Sequence, residues 1–317
     1  MITAPKVSVL TITYNHERYI EQTVRSALMQ QTDFEYEIVI GEDCSTDRTR
    51  DVLLRLADEC PDRLRLLFRE QNLGGARNFA DAFAHCRGEY IALLEGDDYW
   101  SDPQKLAKQV AFLDAHPEYS GCAHAVCPLE AQKFGRPYPD PCPETVTIHD
   151  LFGANPFHTC SVVYRKHFSR LPEWHLRVVP GDWPLHILQA IHGPFRVLPD
   201  VMAVYRVHPS GMWSHSRGRW RGEHLRRMYE ALIAELPEYT EPLVRARLRL
   251  EYELAHQFAF AGDWPAARTA ARKLVERLSA GGPKDVLLAV GALAHVLTPS
   301  VYRSVSQSWG VRPSRSQ

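Results

Sequence analysis

Glu89–Trp100 reads EYIALLEGDDYW. Its first half, Glu89–Leu94, has the length and composition of a strand buried on both faces, and the chain then turns at once through three acids, Glu95, Asp97 and Asp98. The same alternation of a short apolar run with a helical pattern surrounds it. Upstream, Lys6–Tyr14 is a β-branched run, followed by Glu17–Gln30 with Ile20, Val24, Ala27 and Leu28 at helical spacing. Tyr36–Gly41 and Leu64–Phe68 read as strands, with Asp47–Cys60 (Val52, Leu53, Leu56 and Ala57 on one face) and Gly75–Cys86 as the helices between. Downstream, Pro103–His116 reads as a helix with Asp102 as its cap and proline in its first turn. Repeated βα units of this length predict an α/β fold with a doubly wound, mostly parallel sheet flanked by helices.

The pattern changes near residue 120. Cys127–Glu144 holds five prolines in eighteen residues and reads as an irregular loop. Ser161–Tyr164 and Arg196–Tyr205 read as strands, with a helix near Pro184–His192 between them. From Trp220 on, the chain is helical, and Glu253–Ala280 resembles one tetratricopeptide hairpin turning at AGDWP, in a single copy without a period. The expected organisation is a ligand-binding half at 1–120, a second half at 121–219, and a helical C-terminal region at 220–317 whose RPSRSQ tail frays.

Composition narrows the classes. A 317-residue chain with 45% hydrophobic and 24% charged residues excludes wholesale disorder, a collagen-like chain and a disulfide miniprotein. A net charge of −1 gives no global basic surplus, so no nucleic acid is expected as partner. Seven cysteines, an odd number spread through strands and helices, fit reduced thiols and a cytoplasmic location. Cys122, His124 and Cys127 match no zinc-ligand spacing. The N-terminal run alternates with Ser and Thr and reads as a strand, not a signal peptide. No apolar run reaches the ~18 residues of a membrane span. The nearest, Asp285–Val296, fits a helix that packs on the domain or lies at a membrane or partner surface.

In a doubly wound sheet, ligands bind beyond the carboxyl ends of the parallel strands. Thr13-Tyr14-Asn15 follow the first strand, Glu42-Asp43-Cys44-Ser45-Thr46-Asp47 the second, and Glu95-Gly96-Asp97-Asp98 the fourth. Neither GxGxxG nor GxxxxGK[ST] accompanies them, which argues against a dinucleotide enzyme or a P-loop NTPase. Converging acids without glycine amides suggest a phosphate held through a divalent cation.

The runs VSVLTITYNHERYIEQTVRSALMQQ, EIVIGEDCSTDRT and NLGGARNFADAFAHCRGEYIALLEGDDYWSDPQKL resemble the family 2 glycosyltransferases of the GT-A fold, densely over residues 5–120 and loosely to about 215. The resemblance implies an inverting transfer of a sugar from a nucleotide-sugar donor, with Mg2+ or Mn2+, to a hydroxyl of a glycan, lipid-linked or other cell-envelope acceptor. By the same resemblance Tyr14, flanked by Thr13 and Asn15, stacks on the base, Asp43 accepts a uracil imide N–H, and Arg77 lies near the nucleotide. EGDD stands for the family's DxD-type element with Glu95 for the first aspartate; Asp98 is the metal ligand and Asp97 the ribose or metal-side partner. Asp182 in VVPGDWPLHIL takes the place of the general base, with Gly181 where the family has another acid. It also stands where a helix N-cap would, and both readings are open here. Trp183 beside it is either an acceptor platform or a packed tryptophan. His208 matches a late histidine that some GT-A enzymes place on metal or phosphate. Trp220, in a segment resembling the QxxRW element of processive synthases without its glutamine, is a second acceptor candidate. Two other classes compete. A nucleotidyltransferase would need a glycine-rich basic loop where TYNHERY stands, and a non-catalytic scaffold would draw on Glu95 and Gly181, the two departures from the family's motifs.

Overall fold

The computed structural model describes residues 4–211, 213 and 218–276. The chain divides into two compact units, the first ending at His215 and the second beginning at Ser216. The first is a sheet wrapped by helices. β1 (Val7–Thr13), β2 (Tyr36–Glu42), β3 (Leu64–Phe68) and β4 (Tyr90–Leu93) alternate with α1 (Ile20–Leu28), α2 (Thr49–Glu59) and α3 (Gly75–His85). These four strands are parallel in the order β3-β2-β1-β4. Helices cover both faces, so β2 and β4 are buried at every position and β1 at all but one, as their unbroken apolar runs require. α1 turns Ile20, Val24 and Ala27 inward at i, i+4 and i+7.

The remainder of the unit extends the sheet. After the short β5 (Tyr99–Trp100) come α4 (Lys105–Ala115), β6 (Gly121–Glu130), β7 (Lys133–Phe134), β8 (Thr145–Val146), α5 (Ile148–Gly153), β9 (Val163–Arg165), α6 (Asp182–Ala190) and β10 (Phe195–Val207). β9 is antiparallel to both β4 and β6 and joins the parallel half to the parallel β6–β10 pair. The proline-rich stretch corrects the expectation of an irregular loop in part. β6 runs to Glu130, hairpins into β7, and Val126 exchanges two backbone hydrogen bonds with Tyr138 at 2.8 Å. Pro128 stays within this pairing as an acceptor: its carbonyl takes the N–H of Gly135, the residue after β7, at 2.8 Å. α4 also starts later than expected. Gln104, not Asp102, is its N-cap, and Asp102 accepts the Gln104 N–H at 2.8 Å within the preceding turn.

β6 carries a histidine into the core. His124 is fully buried, Nδ1 contacts Ala125 O at 2.8 Å, and Nε2 has no partner. Burial, then the charge of Lys105, holds it well below its usual pKa. The folded protein therefore resists a proton that the unfolded chain takes up below about pH 6.5, and stability from this site is lost as pH falls through that value. His124→Leu is expected to flatten the acid limb: between pH 7 and 5.5 the wild type should lose on the order of 1 kcal/mol more than the variant in urea titrations. Equal losses would show that His124 is not a neutral core group.

The second unit holds α7 (Arg219–Glu235), α8 (Thr240–Phe260) and α9 (Trp264–Glu276). α9 packs Ala266, Ala267, Ala270, Ala271 and Leu274 against Leu254, Ala255 and Phe258 of α8. Gly262 makes the turn between them at φ +76°, in the left-handed region. Arg226 and Glu251 form a buried bidentate pair at 2.7 Å between α7 and α8. No helix among the described residues is long and apolar enough to cross a membrane. The expected hairpin beyond Glu276, the apolar segment Asp285–Val296 and the tail lie outside the described residues.

Candidate active site

Strand order reverses at β1, which has β2 on one side and β4 on the other, so the crevice beyond its carboxyl end is a topological switch point. The turns after β1, β2 and β4 meet there. Asn15, at φ +57°, accepts the Thr46 N–H at 2.8 Å through Oδ1 and donates its own backbone N–H to Ser45 Oγ at 2.9 Å. Asp47 accepts from the Glu17 N–H at 3.0 Å and the Thr49 N–H at 2.9 Å, in the turn before α2, whose N-cap is Arg48. Glu42 is fully buried, accepts the Ser45 N–H at 2.6 Å and pairs with Arg50. These side chains hold the first two turns together.

The acid turn after β4 is pinned from three directions. Thr23 of α1 donates to Asp98 O at 2.7 Å. The Arg206 backbone N–H donates to Asp98 Oδ1 at 2.8 Å, and its guanidinium binds Asp97 O and Gln22 Oε1 between the rings of Tyr19 and Tyr99. Gly96 allows the close approach, because a Cβ there would lie 2.6 Å from Thr13 Oγ1. Glu95, Asp97 and Asp98 thus offer carboxylate oxygens within 4.8 Å of one another. Burial, then repulsion from Asp97, pushes the carboxyls of both Glu95 and Asp98 well above the usual range. Burial works the same way on Asp97, but the His208 hydrogen bond at 3.0 Å and the nearby His16 hold it low. Asp98 Oδ2 is buried with no nitrogen or oxygen donor, and the Cys160 thiol is the weak donor beside this carboxylate. Three hard oxygen ligands with one orphaned oxygen fit a divalent cation.

Two further elements close the crevice. Tyr14 at its mouth is 42% exposed. Asp43 is buried and accepts the backbone N–H groups of Leu73 at 2.7 Å and Gly74 at 2.9 Å, one per oxygen, so each keeps a lone pair. Arg77 is exposed in the first turn of α3. On the other side Asp182 is the first residue of α6, directly after the N-cap Gly181, and its carboxylate takes a backbone hydrogen bond from Trp183 at the helix start. Asp182 Oδ2 also accepts from Asn155 Nδ2 at 3.0 Å and Thr159 Oγ1 at 3.4 Å. Burial raises its pKa against those hydrogen bonds, and its charge reaches Glu95. The arrangement sets a carboxylate of raised basicity within electrostatic reach of the three-acid turn.

The family model for glycosyl transferase family 2 matches residues 8–170. The uncharacterized protein Rv1520 of Mycobacterium tuberculosis is 37% identical over 237 residues, 72% of this chain and 68% of its own. The chain belongs to glycosyl transferase family 2. Among solved structures, TarS 1–349 of Staphylococcus aureus in complex with UDP-GlcNAc superposes with a TM-score of 0.67 at 19% identity, covering 96% of this chain and 92% of that one. The mannosyltransferase PcManGT of Pyrobaculum calidifontis, in complex with GDP-Man and Mn2+, superposes at 0.58 and 21% identity over 98% and 89%. These matches establish the GT-A fold for this family 2 chain, with its central sheet flanked by helices.

The site gathers Thr13, Tyr14, Asn15, Asp43, Asp97, Asp98 and Asp182 around one crevice. The remaining expected residues have contacts of their own. His208 has both ring nitrogens engaged, Nδ1 with Ser210 Oγ and Nε2 with Asp97 Oδ2, each at 3.0 Å. Trp183 donates its indole N–H to Leu151 O at 2.6 Å, which ties it to α5. Trp220 belongs to the second unit, where its ring stacks on His224 at 3.8 Å. Sequence reasoning missed Arg206, His16, Asn155, Thr159 and His158, whose ring stacks on Tyr205 at 4.2 Å. Arg206 could have been flagged as a charge inside the run LPDVMAVYRV; the others carry no pattern of their own.

Proposed function

We propose that the chain is an inverting transferase that moves a sugar from a UDP-linked donor to a hydroxyl of a glycan, lipid-linked or other cell-envelope acceptor. The observation that carries this reading is one crevice with a triple-acid turn on one side and on the other a half-buried Asp182 held by Asn155 and Thr159. Tyr14 offers an open ring to the base, and Asp43 keeps lone pairs for an imide N–H while its backbone bonds fix its angle. Asn15 and Thr13 shape the floor, Asp97 meets the ribose, and Arg77 adds positive charge beside the nucleotide. Asp98, with Asp97 beside it, would hold Mg2+ or Mn2+, and His208 steers Asp97. The cation supplies neutralisation of charge on the departing nucleoside diphosphate. Asp182 takes the acceptor proton. Residues 4–120 form the donor half and 121–211 the acceptor half, with Trp183 near the base.

UDP is the nucleotide to test first, because a neighbour holding GDP-Man shows that the fold alone does not choose the base. A ligand at ~100 times its Kd stabilises by about 2.7 kcal/mol, worth roughly 5 °C in a domain of this size. UDP with Mn2+ is therefore expected to raise the melting temperature by roughly 5 °C, and Tyr14→Ala to remove most of that shift. Protection by GDP or CDP without UDP overturns the uracil assignment. Release of nucleoside diphosphate from a donor panel identifies the sugar, and no turnover on any donor would favour the scaffold reading.

A further inference from the structure

α6 carries polar side chains on a face that packing would fill with apolar ones. His186 and Gln189 follow Asp182 at i+4 and i+7, so the three share one side of the helix. Both are fully buried, and neither ring nitrogen of His186 nor either amide atom of Gln189 has a hydrogen-bond partner. Two more buried groups show the same condition. His175 Nε2 contacts Gly181 O at 2.7 Å, the carbonyl just before Asp182, while its Nδ1 has no partner. The Tyr164 hydroxyl, in a side chain with no exposure, has none either. The rings of Phe157 and Phe195 flank His186 at 4.9 and 6.0 Å and offer no lone pair. One turn beyond Gln189 the stripe reaches the surface at His192, which is exposed and stacks on the exposed His167 at 4.1 Å. From Asp182 to Gln189 the rise is about 10 Å.

Buried polar atoms are almost always paired, with protein or with ordered water, and a fold that keeps several of them on one helix face departs from its own packing rule. A site with this many convergent donors and acceptors suits water. We propose that this face of α6 holds ordered water and, through His186, carries the acceptor's proton from Asp182 to the surface at His192. The inference rests on Asp182 as the general base. In the transfer, the acceptor O–H proton moves to Asp182 while the acceptor oxygen bonds to the anomeric carbon. The bond from that carbon to the diphosphate oxygen breaks, and its electron pair leaves with the nucleoside diphosphate. The proton on Asp182 then passes to water, which restores the carboxylate for the next turnover. Burial holds the His186 pKa down to about 3, so the ring stays neutral with one N–H and one bare nitrogen and can take a proton at one while releasing it at the other. Gln189 and His175 hold the water in place.

The test compares His186→Phe and Gln189→Leu with wild type, with UDP-sugar hydrolysis as the reaction so that water is the acceptor. Both variants replace unpaired polar atoms by apolar ones, so melting temperatures should stay level or rise, and donor KM should not move. Turnover should fall about tenfold, with a larger solvent isotope effect in D2O. A wild-type rate with an unchanged isotope effect in both variants overturns the path. Asp182→Asn run beside them separates the two readings. If it is inactive while the α6 variants run at full rate, the path alone fails; if it runs at full rate, the base assignment fails and the path with it. A high-resolution crystal structure needs no variant: ordered water bonded to His186 and Gln189 supports the proposal, and a dry interior in which these side chains pair directly overturns it.

Discussion

Asp98→Asn should lower metal-dependent turnover by at least about 100-fold, since Lewis-acid stabilisation of the leaving group is worth several kcal/mol and each 1.4 kcal/mol is tenfold in rate. The same change should leave the fold intact. Asparagine keeps the oxygen that accepts the Arg206 N–H at 2.8 Å, and Thr23 holds the backbone of the turn. It also removes one of three carboxylates that share a 4.8 Å space and that burial and mutual repulsion disfavour as anions. The metal-free variant is therefore expected to melt at or above the wild-type temperature, while the Mn2+-dependent part of UDP protection disappears. Loss of activity together with a lower melting temperature in EDTA would make Asp98 a structural residue instead. Comparable turnover, with or without EDTA, would remove the metal assignment.

The fold was legible because its signals are local. A buried parallel strand announces itself as an unbroken apolar run, as in Glu89–Leu94, and α1 through the spacing of Ile20, Val24 and Ala27. The crevice was legible for the same reason: acids placed directly after apolar runs had to lie at one sheet edge once the strands were taken as parallel. What the sequence hid depends on distant contacts. Nothing near Arg206 says that it will reach Asp97, 109 positions away, and nothing near Asn155 says that it will bond Asp182. Pro128 misled in the opposite direction, because proline count alone does not reveal that its carbonyl can still accept the Gly135 N–H and keep the strand paired. Asp182 is the middle case. Its residue type and place suggested either a cap or a base, and the structure leaves room for both: Oδ2 accepts from Asn155 and Thr159, while the carboxylate also bonds backbone N–H groups at the helix start.

Asp182→Asn should separate chemistry from donor binding. General-base assistance is typically worth about 10² to 10⁴ in rate, and an amide cannot accept the acceptor's proton. Asn155 and Thr159 both donate to Oδ2 of Asp182, so the substituted amide can keep those bonds through its oxygen and preserve the local geometry. The backbone N–H groups at the start of α6 that bond this carboxylate can bond an amide oxygen as well, so the helix start should weaken little. UDP protection in Mn2+ is then expected to match wild type, with turnover lower by about 10² or more at saturating donor. The contrast with Asp98→Asn is the informative part, since that change should remove metal-dependent nucleotide binding and turnover together. Burial raises the Asp182 pKa, so the wild-type rate should rise with pH above the ordinary carboxylate range, and the residual rate of the variant should lack that limb. Normal turnover by Asp182→Asn would move the base elsewhere, with Glu173 and the acids of the proline-rich segment next to test. Joint loss of UDP protection and thermal stability would instead make the residue a structural one, and the proton would need another acceptor on that side of the crevice.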